Sequence, residues 1–445
     1  MLAAVKGQPS DGGRSCHRLP LDRREHGGRL GAGGEAEGRV MRDTDLFQMA
    51  LGIAPPWTVS RTAFDAEARR LDITIDFQRG SRFSCPVCEA ADCPVHDTEE
   101  KSWRHLNFFQ HEAFLHARVP RVRCKTCGVK HVPVPWARLG SGFTLLFEAL
   151  IIAMVRDMPV AAVARLIGEH DTKLWRVVHH YVERGRQAAD YSDVTKVAFD
   201  ETASRRGHDY VTLFVDMDSR QVLFVTDGKD AGTVAAFAKD LADHGGDPAA
   251  VEDICIDMSP AFIKGAAESL PNADITFDKF HAVQIMNKAV DEVRRGEQKS
   301  RRNLLARTRY LWLKNPQALS ARQREQLDSL TSCNLKTARA YQIRLTFQDL
   351  YQQPDRVAAT DFLKRWYFWA THSRLKPIIE AARTIKRHWD GVLGWFDSKI
   401  ANGLIEGINS LIQAAKAKAR GYRSSRNLCA MIYLIAGRLN LQLPT

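Results

Sequence analysis

The chain has 445 residues, 44% hydrophobic and 26% charged, a balance that fits soluble globular sequence spread over several domains. Lys and Arg number 64 against 52 Asp and Glu, a net charge of +12, which favours an acidic partner such as nucleic acid without identifying one. Nine cysteines are few for a disulfide scaffold of this length, no apolar stretch is long enough to cross a bilayer and no signal-like segment opens the chain. The expected location is therefore cytoplasmic, with no membrane partner.

Residues 1–40 are rich in Gly, Arg and charge and show neither helical nor strand periodicity, so a disordered extension is expected, with Met41 the more plausible natural start. Residues 41–136 are expected to form an N-terminal zinc-binding module. Leu71, Ile73, Ile75 and Phe77 alternate as in a strand, and two tight pairs, Cys85-Pro-Val-Cys88 and Cys124-Lys-Thr-Cys127, have the spacing at which two thiolates bind one metal. Together they complete a four-sulfur structural zinc site. The 35 residues between the pairs require strands that fold back as a hairpin. A redox dithiol is the competing reading, and Cys93 and His96 leave the ligand set open.

Residues 141–190 read as a helix–turn–helix DNA-binding domain. Pro159 suits a first helical turn, Val160, Val163, Leu166 and Ile167 form an apolar face, and Gly168 breaks the helix. Asp171 is placed to cap a second helix that turns Leu174, Val177, Val178 and Tyr181 inward. Its outward face then carries Lys173, Arg176, His179, His180 and Arg184, a set suited to a major groove.

From 194 to 440 the pattern changes to strand-like runs at 194–200, 210–216 and 221–226, a helical stretch at 231–243, a strand at 252–257, a helix at about 260–269, a strand at 273–277 and a helix from about 278. Residues 300–372 are helical and basic, a helical insertion, and 375–440 are again helical. Asp200 ends the run Val197-Ala198-Phe199 and Asp257 ends Ile254-Cys255-Ile256. An unpaired carboxylate at the end of a buried strand is costly, and grouped carboxylates make an oxygen-rich site for magnesium. Glu406 lies on an amphipathic helix with Ile405 and Ile408. Each acid also has an ordinary explanation as a cap or an ion-pair partner.

These segments, taken in order, resemble the ISL3 family of bacterial insertion-sequence transposases. The resemblance is carried by the two cysteine pairs, the helix–turn–helix, Phe199-Asp200-Glu201, Gly207-His208-Asp209-Tyr210, Asp257 through Phe262, Pro271 through Ala273, Phe277 through His281, Asn402 through Asn409 and Lys416 through Arg423. It implies a multidomain α+β protein: an N-terminal zinc-binding module, a helix-turn-helix, and a ribonuclease H-like α/β catalytic domain with a helical insertion. It further implies that Asp200, Asp257 and Glu406 are the three acids of a DDE site holding two magnesium ions. Asp278, on a matching segment, reads as a helix cap or supporting acid, and Glu201, adjacent to Asp200 on its strand, is expected to face away. Lys416, Lys418, Arg420 and Arg423 follow the third acid closely and would hold phosphates. The expected partners are double-stranded DNA, both terminal inverted repeats and target, and further copies of the chain assembled on it. The rival functions are a DNA-binding regulator without catalysis and a metal nuclease that cuts without joining.

Overall fold

Leu71, Ile73 and Ile75 are buried while the residues between them are not, which seats one face of a strand on a core. In the computed structural model, which describes residues 41–205, 207, 209–400 and 403–444, that strand belongs to a six-stranded sheet. The strands are β1 (Trp57–Asp65), β2 (Arg70–Phe77), β3 (Arg82–Phe83), β4 (Cys93–Phe108), β5 (His111–Cys124) and β6 (Gly128–His131), in the order β1-β2-β5-β4-β3 with β6 beside β5. Strands β4 and β5 form the expected fold-back as one long antiparallel hairpin from Val95↔Val122 to Phe108↔His111. Trp57, Ile73, Trp103, Leu115 and Trp136 fill a core that belongs to this module alone. The extension 1–40, together with His208 and Asn402, lies outside the described residues.

Three helices follow, Leu145–Asp157, Val160–Ile167 and Asp171–Gln187. Gly168 ends the second in the left-handed region, φ +72°, where a residue without Cβ is favoured. The third is capped by His170, whose ring accepts from the Thr172 amide, so Asp171 is the first helical residue rather than the cap.

The second sheet has the order β11-β10-β7-β8-β9. Strands β7 (Lys196–Ala203), β8 (Tyr210–Asp216) and β9 (Gln221–Asp227) form an antiparallel meander, and β10 (Asp253–Ile256) and β11 (Asp274–Phe277) then run parallel to β7. Both faces are buried, which explains the near-continuous apolar runs of β8 and β9. On one face Val197, Phe199 and Phe214 meet Phe237, Phe262 and Met286 from helices Ala231–Asp243, Pro260–Ser269 and Lys279–Gln298, and this core continues into the insertion through Trp312, Tyr341 and Trp366. On the other, Val211, Leu213 and Val225 meet Ile405, Ile408 and Met431 of helices Gly403–Lys418 and Ser425–Ala436, and with them Phe147, Leu174 and Tyr181 of the helix–turn–helix.

The insertion returns to the sheet through helix Trp389–Ser398, which lies against β11 at two glycines. A Cβ on Gly391 would stand 2.4 Å from the Phe277 ring, and one on Gly394 2.9 Å from the Thr276 hydroxyl, so only glycine admits this close approach. The whole is a mixed α+β architecture. Among the described residues no helix is long and apolar enough to cross a membrane.

Candidate metal centres and nucleic-acid interface

The long β4–β5 hairpin carries Cys124 back to the turn that holds Cys85 and Cys88. The sulfurs of Cys85, Cys88, Cys124 and Cys127 all lie within 4.8 Å of one another, with Cys88 and Cys124 3.5 Å apart. A tetrahedral zinc with bonds of about 2.3 Å has sulfur–sulfur edges of about 3.8 Å, so the four thiols fit the ion. The amides of Cys88 and Val87 lower the Cys85 thiol, and those of Cys127 and Thr126 lower Cys124 to about 6, favouring the thiolates that a metal requires, whereas Cys88 and then burial push Cys127 up to about 12. Cys93 is buried beside the tetrad but outside it, its thiol donating to the Ala90 carbonyl at 3.4 Å. The His96 ring is engaged by the Arg123 guanidinium at 2.9 Å. The four cysteines of the two pairs are therefore the candidate ligand set.

The second centre forms where β7, β10 and β11 end. Asp200 lies at the end of β7's buried run, Asp257 follows β10 and Asp278 follows β11. Asn409, on helix Gly403–Lys418, donates its amide to the Asp200 carboxylate at 3.0 Å, and Gln413 one turn later donates to the Thr202 hydroxyl at 2.8 Å. This face of β7 therefore looks at the helix that carries Glu406. Asp200 is pushed up to about 6, first by burial and then by Glu201 and Asp257, against the relieving effect of His281. Asp278 is buried, accepting from the His281 amide at 3.2 Å and pairing with its ring Nδ1 at 3.0 Å. It is the helix cap that the sequence suggests. His281 is in turn raised by Asp278 and, more weakly, by Asp200 and Asp257.

Glu201 alternates to the face of Phe199, as expected, yet it is not remote: burial and then Asp257 raise it, while Lys229 lowers it. Glu406 is exposed, three residues before Asn409. Among the described residues the cysteine tetrad is the only group of three or more His, Cys, Asp or Glu side chains close enough to hold one ion; Asp200 and Asp257 lie within electrostatic reach of each other, and Glu406 does not join them in a cluster. The donor chemistry nevertheless suits a hard dication. The acids are oxygen ligands, burial disfavours the charge on Asp200, and the Asn409 side-chain oxygen is buried without a hydrogen-bond partner. His281 and Asn409 escaped the sequence reading as site residues. The spacing Asp278-x-x-His281 at a helix start was a usable signal for the first. The second closes the matching segment Asn402 through Asn409, but nothing local names its partner, which is 209 residues away.

The nucleic-acid candidates divide by what each touches. Lys173 and Arg176 are exposed, Lys173 pairing with Glu169 at 2.8 Å. His179, expected on the outward face, instead donates its ring Nε2 to the Asn427 side-chain oxygen at 2.9 Å, because helix Ser425–Ala436 packs there. His180 is half-buried, and burial followed by Arg138 lowers it. Lys416 turns its ammonium to the Ala203 carbonyl at 2.6 Å and so ties its helix to the end of β7. Lys418 donates to the Asp157 carbonyl at 2.5 Å and remains exposed, as do Arg420 and Arg423.

Three family profiles match the chain. One described as transposase, of the ISL3 type, covers residues 197–432. The helix-turn-helix domain of transposase family ISL3 covers 132–182, and the zinc-finger of transposases IS204/IS1001/IS1096/IS1165 covers 81–127. Among curated proteins, the transposase for insertion sequence element IS1557 of Mycobacterium tuberculosis is 27% identical over 371 residues, 75% of this chain and 81% of the relative. The transposase for insertion sequence element IS1001 of Bordetella parapertussis is 28% identical over 357 residues, 76% of this chain and 85% of the relative.

Proposed function

The chain belongs to the ISL3 family of transposases, and on that premise we propose that it cleaves DNA at the terminal inverted repeats of its element and joins the freed ends to target DNA, with Asp200, Asp257 and Glu406 as the acids of a magnesium site. The carrying observation is the Asn409–Asp200 hydrogen bond, which fastens the helix of the proposed third acid to the strand of the first. The catalytic unit is read as ribonuclease H-like, supported by a three-strand antiparallel meander followed by two parallel strands with the acids at their ends. Bound magnesium would supply the charge that activates an attacking oxygen and steadies the leaving one. The chain's own residues hold that geometry. Asn409 orients Asp200, the Ser259 amide donates to Asp257 at 2.8 Å, and Asp278 holds the His281 ring beside both carboxylates, whose charge raises it.

In this reading Lys173 and Arg176 recognise the repeats, Lys418, Arg420 and Arg423 hold phosphates beside the acids, and the protein works as a homo-oligomer on DNA. Zinc on the four cysteines shapes the N-terminal module and takes no part in the chemistry. Asp200→Asn, Asp257→Asn and Glu406→Gln should each abolish cleavage and strand transfer on repeat-bearing duplexes in magnesium while leaving end binding intact. The losses should not add, because groups acting as one unit fail together. A Glu406→Gln protein that joins ends at the parent rate, beside an inert Asp278→Asn protein, would transfer the third role to Asp278.

A further inference from the structure

The positive charge of this chain is not spread evenly. Residues 299–402, between helices Lys279–Gln298 and Gly403–Lys418, hold 20 Lys and Arg against 8 Asp and Glu, a net of +12, which equals the net charge of all 445 residues. The rest of the chain is neutral on balance. The charge is densest where the last turn of helix Lys279–Gln298 meets the insertion: between residues 294 and 309, Arg294, Arg295, Lys299, Arg301, Arg302, Arg307 and Arg309 accompany a single acid, Glu297.

The structure leaves this corner unneutralised. Glu297 is occupied in starting the next helix, accepting from the Lys336 and Thr337 amides at 2.9 and 2.8 Å and from the Thr337 hydroxyl at 2.7 Å. Asp291 is buried among Arg294, Arg295 and Arg309 at 2.7, 3.2 and 3.6 Å. Lys299, Arg301, Arg302, Arg307, Lys336 and Arg339 are all exposed, and among the described residues none has a carboxylate within ion-pair distance. Six cations held without counter-charge on a folded corner are a surface for a polyanion.

Helix Lys279–Gln298 relates this corner to the chemistry. Its N-terminus carries His281 and is capped by Asp278, beside the proposed catalytic acids, and its C-terminus opens onto the cationic corner. Twenty residues of helix span about 30 Å, which matches about nine base pairs of B-DNA at about 3.4 Å each. The insertion packs on one face of the β11-β10-β7-β8-β9 sheet and the helix–turn–helix on the other. A duplex gripped by the helix–turn–helix and passing the strand ends therefore leaves on the insertion's side.

We infer that the Lys299–Arg307 corner, with Lys336 and Arg339, is a phosphate-backbone clamp for the DNA flanking the element, engaged about nine base pairs beyond the cut. It contacts phosphates rather than bases, so it takes any sequence, and its contribution falls with salt. The inference rests on the protein acting at DNA ends, not on which acids do the chemistry.

The test uses the full chain, without magnesium, and duplexes carrying one terminal repeat with no flank, about 5 or about 15 flanking base pairs, a range that brackets the expected contact. The parent should bind the longest duplex roughly tenfold tighter than the shortest flank, with a steeper salt dependence, since each phosphate contact adds about 0.9 to the slope. The variant Lys299→Gln/Arg301→Gln/Arg302→Gln/Arg307→Gln should lose that gain and flatten the slope by up to about 3.6, while keeping its zinc and its affinity for the flankless repeat. A parent indifferent to flank length overturns the clamp, as does a variant that keeps the full gain, or backbone protection confined to the element side. Because no cleavage is read, an error in the catalytic assignment leaves these outcomes unchanged.

Discussion

Burial, together with Glu201 and Asp257, holds the Asp200 carboxyl at about 6 against 3.8 for the free side chain, so ionising it at neutral pH weighs on the folded state. Between about pH 4 and 6 the folded chain binds this proton and the unfolded chain does not, so stability falls as pH rises through that window and stays lowered above it. At about 1.4 kcal/mol per pKa unit the penalty is about 3 kcal/mol. In metal-free protein, Asp200→Asn should therefore resist denaturant better than the parent at pH 7 and no better at pH 4. Magnesium should stabilise the parent at pH 7 and leave the variant unmoved. Equal denaturation midpoints at pH 7 would show that the site carries no such load. The same residue marks how far sequence reading reaches. An aspartate closing Val197-Ala198-Phe199 stands out because buried strand ends rarely tolerate charge, whereas Asn409, although it closes a matching segment, acquires its bond to Asp200 only in the fold.

The zinc module shows what the elements contribute. Leu71, Ile73 and Ile75 declare β2 by alternation, but β4 does not declare its length. Thr98, Glu99, Glu100 and Lys101 are polar on both faces, so the period-2 signal vanishes where the hairpin runs into solvent. The hairpin nonetheless brings Cys124 and Cys127 back to Cys85 and Cys88. The module has its own core of Trp57, Trp103 and Trp136, closed at one end by the metal. Cys124→Ser should drop zinc from one atom per chain to none and loosen this module, since small sites draw much of their folding energy from the metal. Cys93→Ser should retain the full zinc content, because Cys93 donates to Ala90 rather than joining the tetrad. Metal analysis of the two purified variants separates the cases, and zinc lost on Cys93→Ser would enlarge the ligand set.

Across the whole molecule, three cores make fewer than three independent bodies. The helix–turn–helix reads in sequence as a separate unit, since its apolar face shows that something covers it without showing what. In the fold, Phe147, Leu174 and Tyr181 share one core with β8, β9 and helix Ser425–Ala436. His179–Asn427 and Arg426–Glu183 contacts, at 2.9 and 2.7 Å, seal its edge. The insertion's core is continuous with the other face of the same sheet. The helix–turn–helix and the insertion are thus joined through one sheet's two faces, which on the proposed function would keep a bound end in fixed register with the carboxylates. The zinc module meets this body through a few contacts, among them the Arg138–Glu148 pair at 2.9 Å and Arg104 beside Phe147. Calorimetry of the full chain should therefore resolve two transitions, because units unfold separately when little apolar surface joins them. Chelating zinc should remove the smaller transition and leave the larger within a few degrees of its place. Proteolysis after chelation should spare the helix–turn–helix and cut within residues 41–137. If chelation instead melts the entire chain in one step, or if the helix–turn–helix is released as its own fragment, the recognition helix is not mounted on the catalytic sheet.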